Sequence, residues 1–264
     1  MSQLPVIPCF DGVGTLPDGS LVGFATTRPP FGALAERTVT ASTHVQPAAE
    51  GIDPTIAVAT GSAMTGMAMK TAAGLTPGET VLIQGATGVA GRLAVQIARL
   101  LGAGRIVVTG RDEAALTEVV ALGADQVSNT AVSDDELQTA YADARGDGFD
   151  VVLDFLWGRP TEVLLRALTP ESFGFAKPTR LVQIGESAGP ELRVRAESLR
   201  TSGVEIYGAA KGFTPTSVPA AYQQIVDWTR SGALHYDLEV VPLSEVETAW
   251  TRTDLRGKRL VVVP

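Results

Sequence analysis

Between residues 81 and 208, short apolar runs alternate with helical stretches. VLIQ at 81–84 precedes 89–101, RIVVT at 105–109 precedes 113–122, and QVS at 126–128 precedes 134–144. DVVLD at 150–154 then precedes 162–168, RLVQIG at 180–185 precedes 196–200, and VEIYG closes the series at 204–208. Runs so short and so continuously apolar suit strands buried on both faces, and each helix supplies the crossover that parallel strands need. The pattern predicts an α/β fold, a doubly wound parallel sheet with helices on both sides.

The flanks read differently. Residues 1–52 carry turns at Asp18-Gly19 and Arg28-Pro29-Pro30 and lack helical periodicity, which predicts a β-rich segment too small to bury a core of its own. Asp53 can cap a helix that opens on Pro54, and Gly61 and Gly66 weaken that helix by about 1 kcal/mol each relative to alanine, so a kink or a close helix–helix approach is expected. A later helix covers about 217–231. Ser244 and Glu247 form a capping-box pattern, predicting a helix that starts there and ends before Gly257, followed by a final strand in LVVV. The expected organisation is a β-rich segment 1–52, a nucleotide-binding domain with its connecting helix 53–230, and a C-terminal return 231–264.

Composition narrows the function. A formal net charge of −8 argues against a nucleic-acid partner, because phosphate backbones attract concentrated Lys and Arg. No run of about 18 apolar residues or signal-peptide pattern occurs, so no membrane partner and a cytoplasmic location are expected. The single cysteine, Cys9, and the two histidines, His44 and His235, are isolated in sequence, and no metal site is expected.

The turn after the first apolar run reads GATGVAG, residues 85–91, between a strand and a helix. That context is the one a dinucleotide fingerprint requires: small residues let the backbone approach a pyrophosphate, and the helix N-terminus favours its charge. Ala86 stands where G-x-G-x-x-G has its first glycine. At the end of the next strand an acid would accept hydrogen bonds from a ribose 2′-hydroxyl. Here Gly110 leaves that place empty and Arg111 offers a guanidinium for a 2′-phosphate, which favours NADP(H) over NAD, while Asp112 is placed to cap the following helix.

With PGETVLIQGATGVAGRLAVQIARLLGA, GADQVSNT, GFDVVLDFLWG, RLVQIGESAG, LRTSGVEIYGA and GKRLVVVP in order, the chain resembles the medium-chain dehydrogenase/reductases, in particular their zinc-independent quinone oxidoreductase branch. The resemblance implies a Rossmann domain holding NADP(H) through Ala86, Thr87, Gly88, Val89 and Ala90, then Arg111 and Asn129. It further implies contacts at Asp154, Phe155 and Leu156, with backbone contacts at Ile184, Gly185 and Glu186 beside the nicotinamide. It also implies a homodimer paired through VEIYGA. The β-rich start looks like the middle of the family's catalytic, GroES-like domain, so this domain is expected to be partial.

The implied activity is NADPH-dependent, metal-free hydride transfer to a small-molecule substrate: a quinone, an enone or a similar carbonyl. No catalytic residue is singled out. Thr65 is the nearest candidate for a substrate or nicotinamide contact, although a helical threonine can bond its own backbone instead. The alternative is a shortened, weakly catalytic or non-redox NADP(H)-binding protein acting as a sensor or partner subunit. Tyr207 and Lys211 have the Y-x-x-x-K spacing of a proton-transfer pair, but that use needs one helical face, and VEIYG reads as a strand.

Overall fold

The computed structural model describes residues 4–170 and 176–264. The chain divides into two units, Met1–Gly61 with Ile225–Pro264, and Ser62–Gln224. Both divisions fall inside helices, at 61/62 and 224/225, whereas the sequence reading places them at 52/53 and 230/231.

In the first unit, strands β1 (Gly12–Thr15), β2 (Leu21–Phe24) and β3 (Val45–Pro47) form an antiparallel sheet in that order. Asp18 makes the β1–β2 turn by accepting from the Ser20 amide at 2.9 Å. Helix α1 (Pro54–Met64) opens as expected: Asp53 Oδ1 accepts from the Thr55 amide at 2.8 Å, and Pro54 sits where an N–H would be unpaired.

The second unit starts near the end of α1 and continues through α2 (Ala68–Thr71), β4 (Thr80–Gln84), α3 (Val89–Leu100), β5 (Arg105–Gly110), α4 (Glu113–Ala121), β6 (Gln126–Asn129) and α5 (Asp134–Arg145). It closes with β7 (Val151–Asp154), α6 (Gly158–Leu168), β8 (Thr179–Gln183), α7 (Ala196–Thr201), β9 (Val204–Gly208) and α8 (Ser217–Arg230), the last running into the first unit. The six strands are parallel in the order β6-β5-β4-β7-β8-β9. The order reverses between β4 and β7, the switch point at which open α/β sheets bind ligands.

Burial follows the apolar runs. Val81, Leu82 and Ile83 have no exposed surface, as expected of a strand covered on both sides. Leu82, Leu137, Phe149, Val152, Leu164 and Leu181 share one core cluster, each worth about 1.5–3 kcal/mol of burial. The interruption between α1 and α2 sits at Gly66, where a Cβ would come within 2.8 Å of Ile97 Cδ1 and 3.2 Å of Ala94 Cα, so the glycine serves close packing on α3.

Two boundaries depart from the sequence reading. α6 begins at Gly158 rather than 162, because Trp157 and Gly158 take φ of 56° and 54° and turn the chain directly into a helix with Pro160 in its first turn. In the first unit's C-terminal part, β10 (Leu238–Pro242), which the sequence reading missed, pairs in parallel with β11 (Arg259–Val263). The expected capping box at Ser244 does not form. A 3-10 turn at Leu243–Glu245 follows Pro242 and places Ser244 inside it, and α9 (Val246–Trp250) has Glu245 as its N-cap, with no side-chain capping bond.

Candidate functional site

Because all six strands run the same way, Gln84, Gly110, Asn129, Asp154, Gln183 and Gly208 end them at one edge of the sheet. The glycine loop, Arg111, Asn129, and the segments 155–157 and 184–186 therefore gather there.

The glycine loop is built by backbone bonds and close approach. Gly85 takes φ +82° and donates its amide to Thr109 Oγ1 at 3.2 Å, while the Ala86 amide donates to Thr109 O at 2.8 Å. A Cβ at Gly91 would lie 2.3 Å from Gly85 O and 2.6 Å from Ala86 Cα, so only glycine lets α3 start this near β4. Gly88 is the N-cap of α3 and offers no side chain to its first turn. Val89, Ala90 and Gly91 thus start a twelve-residue helix whose leading amides have no intrahelical acceptor, and whose dipole favours an anion. Ala86 is buried, Thr87 half-buried and Gly88 exposed.

At the end of β5, Gly110 is buried against Thr87, and Arg111 is exposed, its side chain making no hydrogen bond or ion pair among the described residues. Asp112 caps α4 by accepting from the Ala115 amide at 2.9 Å. Asn129, half-buried, turns its Oδ1 to the Ala131 amide at 2.8 Å.

Asp154 has no exposed surface and is committed within the chain. Its Oδ1 accepts from the Leu156 and Trp157 amides at 2.9 and 3.0 Å, and its Oδ2 accepts from the Thr161 hydroxyl at 2.5 Å. Burial pushes its carboxyl above the ordinary aspartate range, and these three donors pull it back. Its side chain shapes the turn, while its carbonyl accepts from the Ile184 and Gly185 amides at 2.8 and 3.2 Å. Phe155 O likewise accepts from the Ser187 amide at 3.4 Å and Leu156 O from the Ala188 amide at 2.8 Å, so the two loops run zipped together with Glu186 exposed at the rim. Leu156 also leans on the glycine loop: a Cβ at Gly85 would meet its Cδ2 at 2.8 Å.

Thr65 lies in the break between α1 and α2, and its Oγ1 donates to Ser62 O at 2.8 Å. Tyr207 lies in β9, next to its last residue, and Lys211 sits in a 3-10 turn with Nζ 3.6 Å from the Tyr207 ring centroid, over the ring face rather than at the hydroxyl. Burial pushes that phenol up. The residues missed by sequence reading are Gln84, Tyr141 and Thr161, buried polar side chains beneath the loops. The polar Gln84 at the end of an apolar strand was the available signal.

A family model described as zinc-binding dehydrogenase matches residues 90–228, just over half of the chain. The chain belongs to the zinc-binding dehydrogenase family. This is the medium-chain dehydrogenase/reductase resemblance read from the motifs, including its quinone oxidoreductase-like branch. YfmJ of Bacillus subtilis, which carries the name of an NADP-dependent oxidoreductase, is 27% identical over 198 residues, covering 70% of this chain and 56% of that protein. tdiC of Emericella nidulans, named as an NADPH-dependent quinone reductase, is 28% identical over 197 residues, covering 71% and 54%. The chain thus spans about half the length of these relatives.

Among solved structures, the Thermus thermophilus quinone oxidoreductase superimposes with a TM-score of 0.69 at 28% identity, covering 94% of this chain and 77% of that one. The Escherichia coli quinone oxidoreductase, solved with NADPH, gives 0.81 at 19% identity, covering 100% and 84%, which shows the shared fold. The family's description implies zinc. Among the described residues no three His, Cys, Asp or Glu side chains converge, so this donor set does not fit a zinc site.

Proposed function

We propose that this dehydrogenase-family protein binds NADP(H) at the β4–β7 switch point and is an NADPH-dependent oxidoreductase. The observation that carries the reading is the uncapped N-terminus of α3, held against the end of β4 by Gly91, with Arg111, unpaired among the described residues, at the end of the neighbouring strand. The names of the Bacillus, Emericella, Thermus and Escherichia proteins support it.

In this reading the amides of Val89 and Ala90 take a pyrophosphate oxygen, and Arg111 takes the 2′-phosphate in a charge-assisted pair. Gly110, buried against Thr87, offers no acid that would repel that phosphate. Asn129 and the segment 155–157 border the crevice, and the backbone at Ile184, Gly185 and Glu186 borders the nicotinamide half, with Thr65 as a substrate contact. A bound nicotinamide supplies the hydride. The acceptor proposed is a quinone, an enone or a related small carbonyl, with the proton drawn from solvent and no metal involved. The protein is further proposed to be a cytoplasmic homodimer.

A second reading is an NADP(H)-binding partner subunit with little chemistry. The exposure of Phe10 (66%) and Phe31 (48%) in the first unit favours it, since exposed aromatic surface marks an interaction site. NADPH titration followed by turnover with quinones and enones separates the two: binding with oxidation by an acceptor supports the enzyme, and binding without any oxidation supports the subunit.

A further inference from the structure

Gln84 and Asp154 end the two strands between which the sheet order reverses, and they are register partners. Both are fully buried. Thr161, equally buried on α6, stands between them: its hydroxyl donates to Asp154 Oδ2 at 2.5 Å and accepts from Gln84 Nε2 at 3.1 Å. A hydroxyl has one proton, so the two bonds fix its direction.

From Gln84 the chain of bonds continues toward the glycine loop. Gln84 Oε1 accepts from the Tyr141 hydroxyl at 2.6 Å, and on the neighbouring strand Thr109 Oγ1 accepts from the Gly85 amide at 3.2 Å. Burial pushes the Tyr141 phenol far up, which keeps it a donor. On the other side, Asp154 Oδ1 receives the Leu156 and Trp157 amides. Hydrogen bonds therefore run unbroken from Tyr141 through Gln84, the residue that leads into the glycine loop, to Trp157, beneath both loops that flank the switch point.

We propose that Thr161 is a positioning residue that couples the glycine loop to the loop after β7, so that one buried hydroxyl sets both walls of the crevice. In a low-dielectric interior a buried polar atom left without a partner is costly, and removing this hydroxyl leaves two, Gln84 Nε2 and Asp154 Oδ2. Each belongs to the last residue before one of the loops, so both loops must readjust together. The consequence for cofactor affinity rests on the reading under Proposed function. The coupling itself belongs to the free chain.

Hydrogen exchange on the cofactor-free protein tests it. Thr161→Val keeps the shape and removes the hydroxyl; Thr161→Ser keeps the hydroxyl. The valine variant is expected to exchange roughly tenfold faster in peptides covering both 85–88 and 155–157, but not across 106–108, and to bind NADPH roughly tenfold more weakly. The serine variant restores both. Faster exchange confined to 155–157, or equal effects from valine and serine, overturns the proposal. Should the valine variant fail to fold, Gln84→Met cuts the chain from the other end and is expected to speed exchange at 155–157; no change there overturns the coupling. Wild type that binds no NADPH would remove the cofactor reading alone, because the exchange pattern still decides the coupling.

Discussion

A Cβ placed on Gly110 would stand 2.5 Å from Thr87 Cγ2 and 3.0 Å from Leu116 Cδ2. The glycine loop's own side chain thus fills the space in which an NAD-selective site presents a carboxylate. Gly110→Asp alone is expected to overpack the site, lowering stability by about 1–3 kcal/mol in urea denaturation without gaining NADH. Adding Thr87→Ala removes the offending methyl and is expected to recover NADH binding while rejecting NADPH. A single Gly110→Asp variant that binds NADH well contradicts this.

Arg111 has no partner among the described residues, so replacing it should cost the fold almost nothing. Arg111→Ala is expected to weaken NADPH by roughly tenfold to a hundredfold, the worth of a charge-assisted bond, and to leave NADH unchanged. Parallel fluorescence titrations of the two nucleotides check it.

The alternation of apolar runs made the sheet and its loops legible in the sequence, because a strand buried on both faces leaves a run such as VLI with few alternatives. Asp154 shows where that reading stops. Its place at a strand's end suggests a ligand contact, yet its carboxylate is committed to two backbone amides and Thr161, a choice fixed by the turn at Trp157 and Gly158. Thr161 itself reads as an ordinary residue of a helix, since its partners lie 77 and 7 positions away. The failed capping box has a local cause: Pro242 leads into a 3-10 turn that takes up Ser244 and leaves Glu245 at the capping position.

Burial raises the Asp154 carboxyl above its ordinary value of 3.8. The folded state therefore holds that proton more tightly than the unfolded state. The group's contribution to stability is complete below 3.8 and declines as pH rises from there through the raised folded value. Asp154→Asn removes this term. Unfolding free energies of wild type and variant, followed against pH, are expected to differ by an amount that changes across that window. A difference independent of pH contradicts it.

β9 is an edge of the sheet, paired among the described residues with β8 alone. Open edges invite pairing with a second copy across a two-fold axis. Light scattering at micromolar concentration is expected to give twice the 27.5 kDa chain mass. A monomer at that concentration contradicts the proposed dimer.

The most direct test of the cofactor reading is a titration of the wild-type protein with NADPH and with NADH, followed by nicotinamide emission. The glycine loop and Arg111 together predict saturable enhancement with NADPH and binding roughly tenfold weaker with NADH. No saturable change with either nucleotide would contradict the account.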